Sequence, residues 1–254
     1  SFAEGGMLMG HTCGTTQAGD SNRRAFLQAS AAVATIAALG GSLGSRAHAA
    51  ALTRAQRDQM TAEQIIAVMQ EGNERFRTGK ETPHNYLAQQ KASATGQYPA
   101  AVILSCIDSR APAETILDLG IGDVFNARVA GNIANDDILG SLEFACQLAG
   151  AKVVLVMGHT ACGAIKGAID QAELGHLTGL LAKIRPAVEA TRYEGDRSAK
   201  NDGFVDAVAR THVELTVADM RRRSPVLADL EARGVLKIAG AMYDITTAQV
   251  AFFT

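Results

Sequence analysis

The chain contains no tryptophan, and aromatic residues make up only 5% of it. Any pocket must therefore be walled by Phe, Tyr and aliphatic side chains. Neither sign of charge dominates: 24 basic against 26 acidic residues leave a net charge of −2. That balance gives no electrostatic ground for nucleic acid or an anionic membrane as partner. Cysteine is scarce, with four residues at 13, 106, 146 and 162, no Cys-x-x-Cys and no spacing that suggests a disulfide framework. The alanine-rich run at 29–39 is about half the length a membrane-spanning helix needs. What remains is ordinary, 47% hydrophobic and 20% charged residues among 254. That is enough for one soluble α/β domain with a real core.

The N-terminal fifth reads as a leader. Asn22-Arg23-Arg24-Ala25-Phe26-Leu27-Gln28 precedes the apolar run, and Gly40, Gly41, a lone Arg46 and Ala47-His48-Ala49 follow it. Paired arginines, a weakly hydrophobic segment and an Ala-x-Ala ending make a twin-arginine export signal. The expected consequences are cleavage after Ala49, a periplasmic or secreted protein exported in folded form, and a mature domain over 50–254. Residues 1–20 read as an extension upstream of that signal. His11-Thr12-Cys13-Gly14 looks like a metal motif, but it lies in the segment to be removed and receives no function. Loss of the leader leaves three cysteines. Two metal-holding thiolates and one buried thiol would explain that odd number, and so would three packed core thiols.

The mature chain alternates strand and helix patterns. Thr61 begins a helix running to about Arg77, with Ile65, Ile66, Met69 and Phe76 on one stripe. The polar stretch 79–99 reads mostly as loop. The short continuous apolar run at 101–105 reads as a strand buried on both faces, and 124–129, 152–158 and 235–242 read as three further strands. Helical patterns lie at 112–119, 136–149, 161–174, 177–192, 203–223 and 225–232, and 193–202 reads as a surface loop. The expected fold is α/β, a mainly parallel four-stranded sheet in the order 2-1-3-4, covered by helices.

Two polar clusters follow buried strands. Cys106-Ile107-Asp108-Ser109-Arg110 comes after the first, and His159-Thr160-Ala161-Cys162-Gly163-Ala164 after the third. In an open parallel sheet, ligands gather beyond the carboxyl ends of strands where the strand order reverses. If strands one and three are neighbours, two thiolates and an imidazole converge there. Such a set suits zinc and leaves a fourth position for water. Taken singly, Cys106 is a packed thiol, His159 a hydrogen-bonded histidine, and Asp108–Arg110 a loop ion pair. The joint pattern supports a zinc site and, from spacing alone, nothing sharper.

These residues resemble the β-carbonic anhydrases. The likeness continues through Gly122-Asp123-Val124-Phe125, Arg128-Val129-Ala130-Gly131-Asn132, Gly140-Ser141-Leu142-Glu143-Phe144 and Gly240-Ala241-Met242-Tyr243-Asp244-Ile245, and covers roughly 60–253. The resemblance implies Zn²⁺ on Cys106, His159 and Cys162, and reversible hydration of carbon dioxide to bicarbonate by attack of zinc-bound hydroxide. Zinc makes that hydroxide available by lowering the pKa of its water to about 7. Asp108 and Arg110 become the family's catalytic dyad: Asp108 accepts a hydrogen bond from the nucleophile while Arg110 keeps it ionised. In a closed state Asp108 joins the metal instead. Gln97 stands where plant-like members carry a glutamine that serves the neighbouring subunit's substrate, and Phe125 matches an apolar wall of the cleft. The likeness also implies a homodimer or higher homo-oligomer, with the helix at 61–78 embracing the partner. The bicarbonate-inhibited subgroup has Trp where this chain has Ile103, so no bicarbonate-locked form is expected, although Arg128 matches that subgroup's arginine. Rival readings are a carbonyl sulfide or carbon disulfide hydrolase on the same site, or a non-catalytic zinc- or bicarbonate-binding relative. A cysteine phosphatase fails, because three residues rather than five separate Cys106 from Arg110.

Overall fold

The computed structural model describes residues 51–253. The leader features, including Arg23-Arg24, His11–Cys13 and the junction at Ala49, lie outside the described residues.

Strand formation follows from apolar runs that can be covered on both sides. Strands β1 (Ala101–Ser105) and β3 (Val153–His159) are buried along their whole length. Side chains alternate across the sheet. Val102, Leu104, Val154 and Val156 enter one core, while Ala101, Ile103, Val153, Leu155 and Met157 enter the core on the opposite face. Each fully buried Leu, Ile or Val contributes about 1.5–3 kcal/mol. The partly exposed edge strand β2 (Val124–Arg128) pairs with β1, and β4 (Lys237–Tyr243) pairs with β3, both in parallel. The parallel order 2-1-3-4 is as expected. A fifth strand, β5 (Val250–Phe253), adds antiparallel to β4 and completes the order β2-β1-β3-β4-β5.

Helices cover both faces. Helix α1 spans Arg54–Gln59 and α2 spans Ala62–Arg77. The predicted start of α2 is held by a capping box, in which the Thr61 hydroxyl accepts the Gln64 N–H and the Gln64 side chain accepts the Thr61 N–H. The stretch 79–99 is not all loop. It contains α3 (Tyr86–Ser93), capped by the Asn85 side chain and burying little beyond Gln89. A short α4 (Ala113–Ile116) leads to Asp118. That buried carboxylate accepts from Arg75, Thr82 and His84, tying α2 and the Thr82–His84 segment to the chain that follows α4. Helix α5 (Asp136–Glu143) continues as a π-helical turn over Phe144–Leu148.

The predicted helix at 161–174 is shorter than expected: α6 covers Gly163–Ile169. The one at 177–192 is two helices, α7 (Gly175–Ala182) and α8 (Arg185–Ala190), because Pro186, in the first turn of α8, has no N–H with which to continue the α7 ladder. Residues 193–201 are irregular as predicted. The long α9 (Asp202–Arg223) packs on β3 and β4, and α10 (Pro225–Ala232) follows it. Among the described residues no helix is long and apolar enough to cross a membrane.

Candidate metal centre

Strand β1 has β2 on one side and β3 on the other, so the chain reverses direction across the sheet at β1. A crevice opens at the carboxyl ends of adjacent strands at such a point. Cys106 is the first residue past β1, His159 is the last of β3, and Ser105 lies opposite Met157 in the register. Cys162 immediately precedes α6. Sheet topology thus brings together three residues separated by up to 56 positions, and their ligand atoms all lie within 4.8 Å of one another.

All three side chains are buried. His159 Nδ1 donates to the Thr160 carbonyl at 2.9 Å, because a carbonyl only accepts. The proton on Nδ1 leaves the Nε2 lone pair free, and Nε2 is a buried polar atom with no hydrogen-bond partner. Such orphans are uncommon in proteins and call for an explanation. A metal ion between Nε2 and two sulfurs supplies one. Two thiolates and an imidazole are a zinc donor set. The residues present therefore fit zinc.

The electrostatics agree. Cys106 and Cys162 compete for one proton. The hydrogen bond from Cys162 pulls Cys106 well below the ordinary thiol range despite burial, helped by His159 and by the Gly131 N–H. The same hydrogen bond, with burial, pushes Cys162 up. Burial opposes charging of His159, but the Cys106 sulfur beside it outweighs that and raises its pKa. A metal ion would take the place of the proton that the two thiols share. The third cysteine, Cys146, is a buried free thiol pushed up to about 12 by burial alone.

Asp108 sits beside this cluster, with Oδ2 3.8 Å from His159 Nε2. Arg110 grips it three times: Nε on Oδ1 at 2.9 Å, Nη2 on Oδ2 at 2.8 Å, and its backbone N–H on Oδ1 at 2.9 Å. These bonds hold the Asp108 carboxyl well below the usual carboxylate range, against burial. Phe125 on β2 is half-buried and packs against the core that contains Cys106 and Cys162, its ring meeting Phe144 edge-on. Gln97 is exposed. It lines a surface cavity of about 490 Å³ with Ser93, Ile121 and Gly122, and no residue of the cluster lines that cavity. The structure therefore gathers Cys106, His159, Cys162, Asp108 and Arg110, sets Phe125 in the adjoining core, and leaves Gln97 apart from them.

Several neighbours had no assigned task in the sequence. Arg128 donates to the Cys106 carbonyl at 2.8 Å and to the Asp108 carbonyl at 2.6 Å, clipping the loop that carries both side chains. Ala161 adopts φ +52°, and its N–H donates to Asp206 on α9 at 2.9 Å. Gly131 donates to Cys106 Sγ at 3.3 Å. The Arg128–Asn132 motif pointed to two of these, but an alanine in the left-handed region leaves no mark in sequence.

A mainly parallel α/β sheet with a Cys-His-Cys site at its switch point defines the class as a metal-site α/β enzyme. Residues 101–250 match the family model described as carbonic anhydrase. Carbonic anhydrase 2 of Mycobacterium tuberculosis is 35% identical over 183 residues, 70% of this chain and 86% of that protein. The carbonic anhydrase of Mycolicibacterium smegmatis is 32% identical over 188 residues, 72% and 88% of the two chains. The solved β-carbonic anhydrase CafA of Aspergillus fumigatus superposes with a TM-score of 0.58 at 31% identity, covering 64% of this chain and 79% of that one. The chain belongs to the β-carbonic anhydrase family.

Proposed function

We propose that this protein reversibly hydrates carbon dioxide to bicarbonate and a proton, with zinc held by Cys106, His159 and Cys162. The observation that carries the reading is the buried, unpartnered His159 Nε2 facing two thiols within 4.8 Å. Zinc bound there supplies Lewis acidity that brings the pKa of a water near neutrality. The chain supplies the rest. Arg110 keeps Asp108 ionised, so Asp108 stays a hydrogen-bond acceptor able to orient the nucleophile. With both its oxygens engaged by Arg110, Asp108 is restrained from swinging into the metal position, which favours the open over the closed arrangement. Phe125 offers carbon dioxide an apolar wall.

Gln97 is assigned to a neighbouring subunit's cleft, in keeping with its exposure and with the plant-like subgroup. A homo-oligomer is part of the reading, and one of two Sordaria macrospora β-carbonic anhydrases described as tetrameric matches this chain at 26% identity with a TM-score of 0.55. Residues 1–49 are assigned as leader and signal, 50–254 as the mature domain. N-terminal sequencing of exported protein should begin at Ala50, and a start before Arg23 would reject the assignment.

Zinc content and carbon dioxide hydration measured on one purified sample test the central reading. About one zinc per chain with turnover supports it. Zinc without hydration, beside turnover of carbonyl sulfide or carbon disulfide, would transfer the site to that chemistry.

A further inference from the structure

Gly131 touches Cys106 through its amide N–H, 3.3 Å from Sγ, with both residues buried. An N–H aimed at a thiolate withdraws charge from the sulfur and fixes the direction from which it can bind a metal. Gly131 has no side chain with which to hold that aim. It lies at φ +65°, ψ 20°, in the left-handed region, within a single 3₁₀ turn over Ala130–Asn132. Its carbonyl, however, is gripped from a distant part of the chain: His212 Nε2 lies 2.8 Å from Gly131 O. A carbonyl only accepts, so Nε2 carries the proton. His212 is only 5% exposed. Burial holds it down to about 4 despite this hydrogen bond, so the ring is neutral at physiological pH. It projects from α9, the 22-residue helix packed on β3 and β4.

We infer that His212 is a positioning residue for the metal centre, fixing Gly131 by its carbonyl so that the Gly131 N–H stays aimed at Cys106 Sγ. The inference rests on the reading of Cys106 as a metal ligand. A histidine that merely fills core would contribute stability and leave the metal unaffected. His212 also lines a cavity of about 440 Å³ together with Ile133, Ala187 and Thr216, so a side chain of slightly different shape can be accommodated.

The test uses the full chain loaded with cobalt in place of zinc, comparing wild type with His212→Gln, His212→Asn and His212→Leu. The Gln amide nitrogen reaches roughly the Nε2 position, whereas the Asn amide is one methylene too short. The readouts are metal affinity against a competing chelator and the thiolate-to-cobalt charge-transfer absorption. The Asn and Leu variants should bind metal about 10- to 100-fold more weakly, with a displaced band, and Gln should restore both. A general packing defect would strike Gln and Asn alike. Equal behaviour of Gln and Asn, or a Leu variant with wild-type affinity and spectrum, overturns the inference. A wild type that takes up no metal removes the site reading and the inference with it. A fully loading wild type beside indifferent variants removes the inference alone.

Discussion

Replacing Gly131 by alanine should destabilise the fold severely for its size, and the cost can be worked from two sources. At φ +65° an L side chain costs roughly 1–2 kcal/mol. The added Cβ would also lie 2.5 Å from Ile184 Cδ1 and 3.2 Å from Ala164 Cβ. Ile184 is completely buried and has little room to retreat, and overpacking of this kind costs about 1–3 kcal/mol. Together they predict a loss of about 2–5 kcal/mol. The assay is urea denaturation of metal-free protein in excess chelator, which keeps metal linkage out of the comparison. Ile184→Val deletes the offending Cδ1 and alone costs about 0.5–1.5 kcal/mol. In the double variant the clash is relieved, so the combined loss should fall below the sum by more than the ~0.5 kcal/mol within which independent sites add. A Gly131→Ala protein within about 0.5 kcal/mol of its parent, or strict additivity of the pair, would refute the reasoning.

Gly158→Ala should also destabilise, by about 1–3 kcal/mol, because its Cβ would sit 2.7 Å from Val213 Cγ2 and 2.8 Å from Met242 Sδ beside His159. The urea denaturation midpoint and the zinc content should fall together. For Asp108 the sign follows from its lowered pKa: the Arg110 ion pair stabilises above the ordinary 3.8 and is lost as pH falls through the folded value. The stability gap between metal-free parent and Arg110→Gln should therefore be widest near neutrality and narrow below about pH 4; a gap that widens in acid would reverse the assignment. Cys146, raised to about 12 and buried, should resist alkylation at pH 8 in the native protein and react once unfolded. Rapid native labelling at that position would contradict its place in the core.

The sheet was legible because burial on both faces forces continuous apolar runs such as Ala101–Ser105, and the site because two clusters followed such runs directly. Chemistry written in residue type, Cys106, Asp108, Arg110, His159 and Cys162, survives into sequence. Strand β5 was missed because four residues, Val-Ala-Phe-Phe, show no period that separates an antiparallel edge from a tail. Helix α3 was missed because it buries almost only Gln89 and so carries no apolar stripe. The supports of the site were hidden for a different reason. His212 and Asp206 act on backbone groups of Gly131 and Ala161, 81 and 45 residues away, and no local pattern marks such a contact.

The coordination sphere itself can be read by X-ray absorption on the purified, zinc-loaded protein. The predicted shell is two sulfurs near 2.3 Å and two lighter atoms near 2.0–2.1 Å, losing one sulfur in Cys162→Ser. A shell without sulfur, or a protein that retains no zinc, would contradict the account.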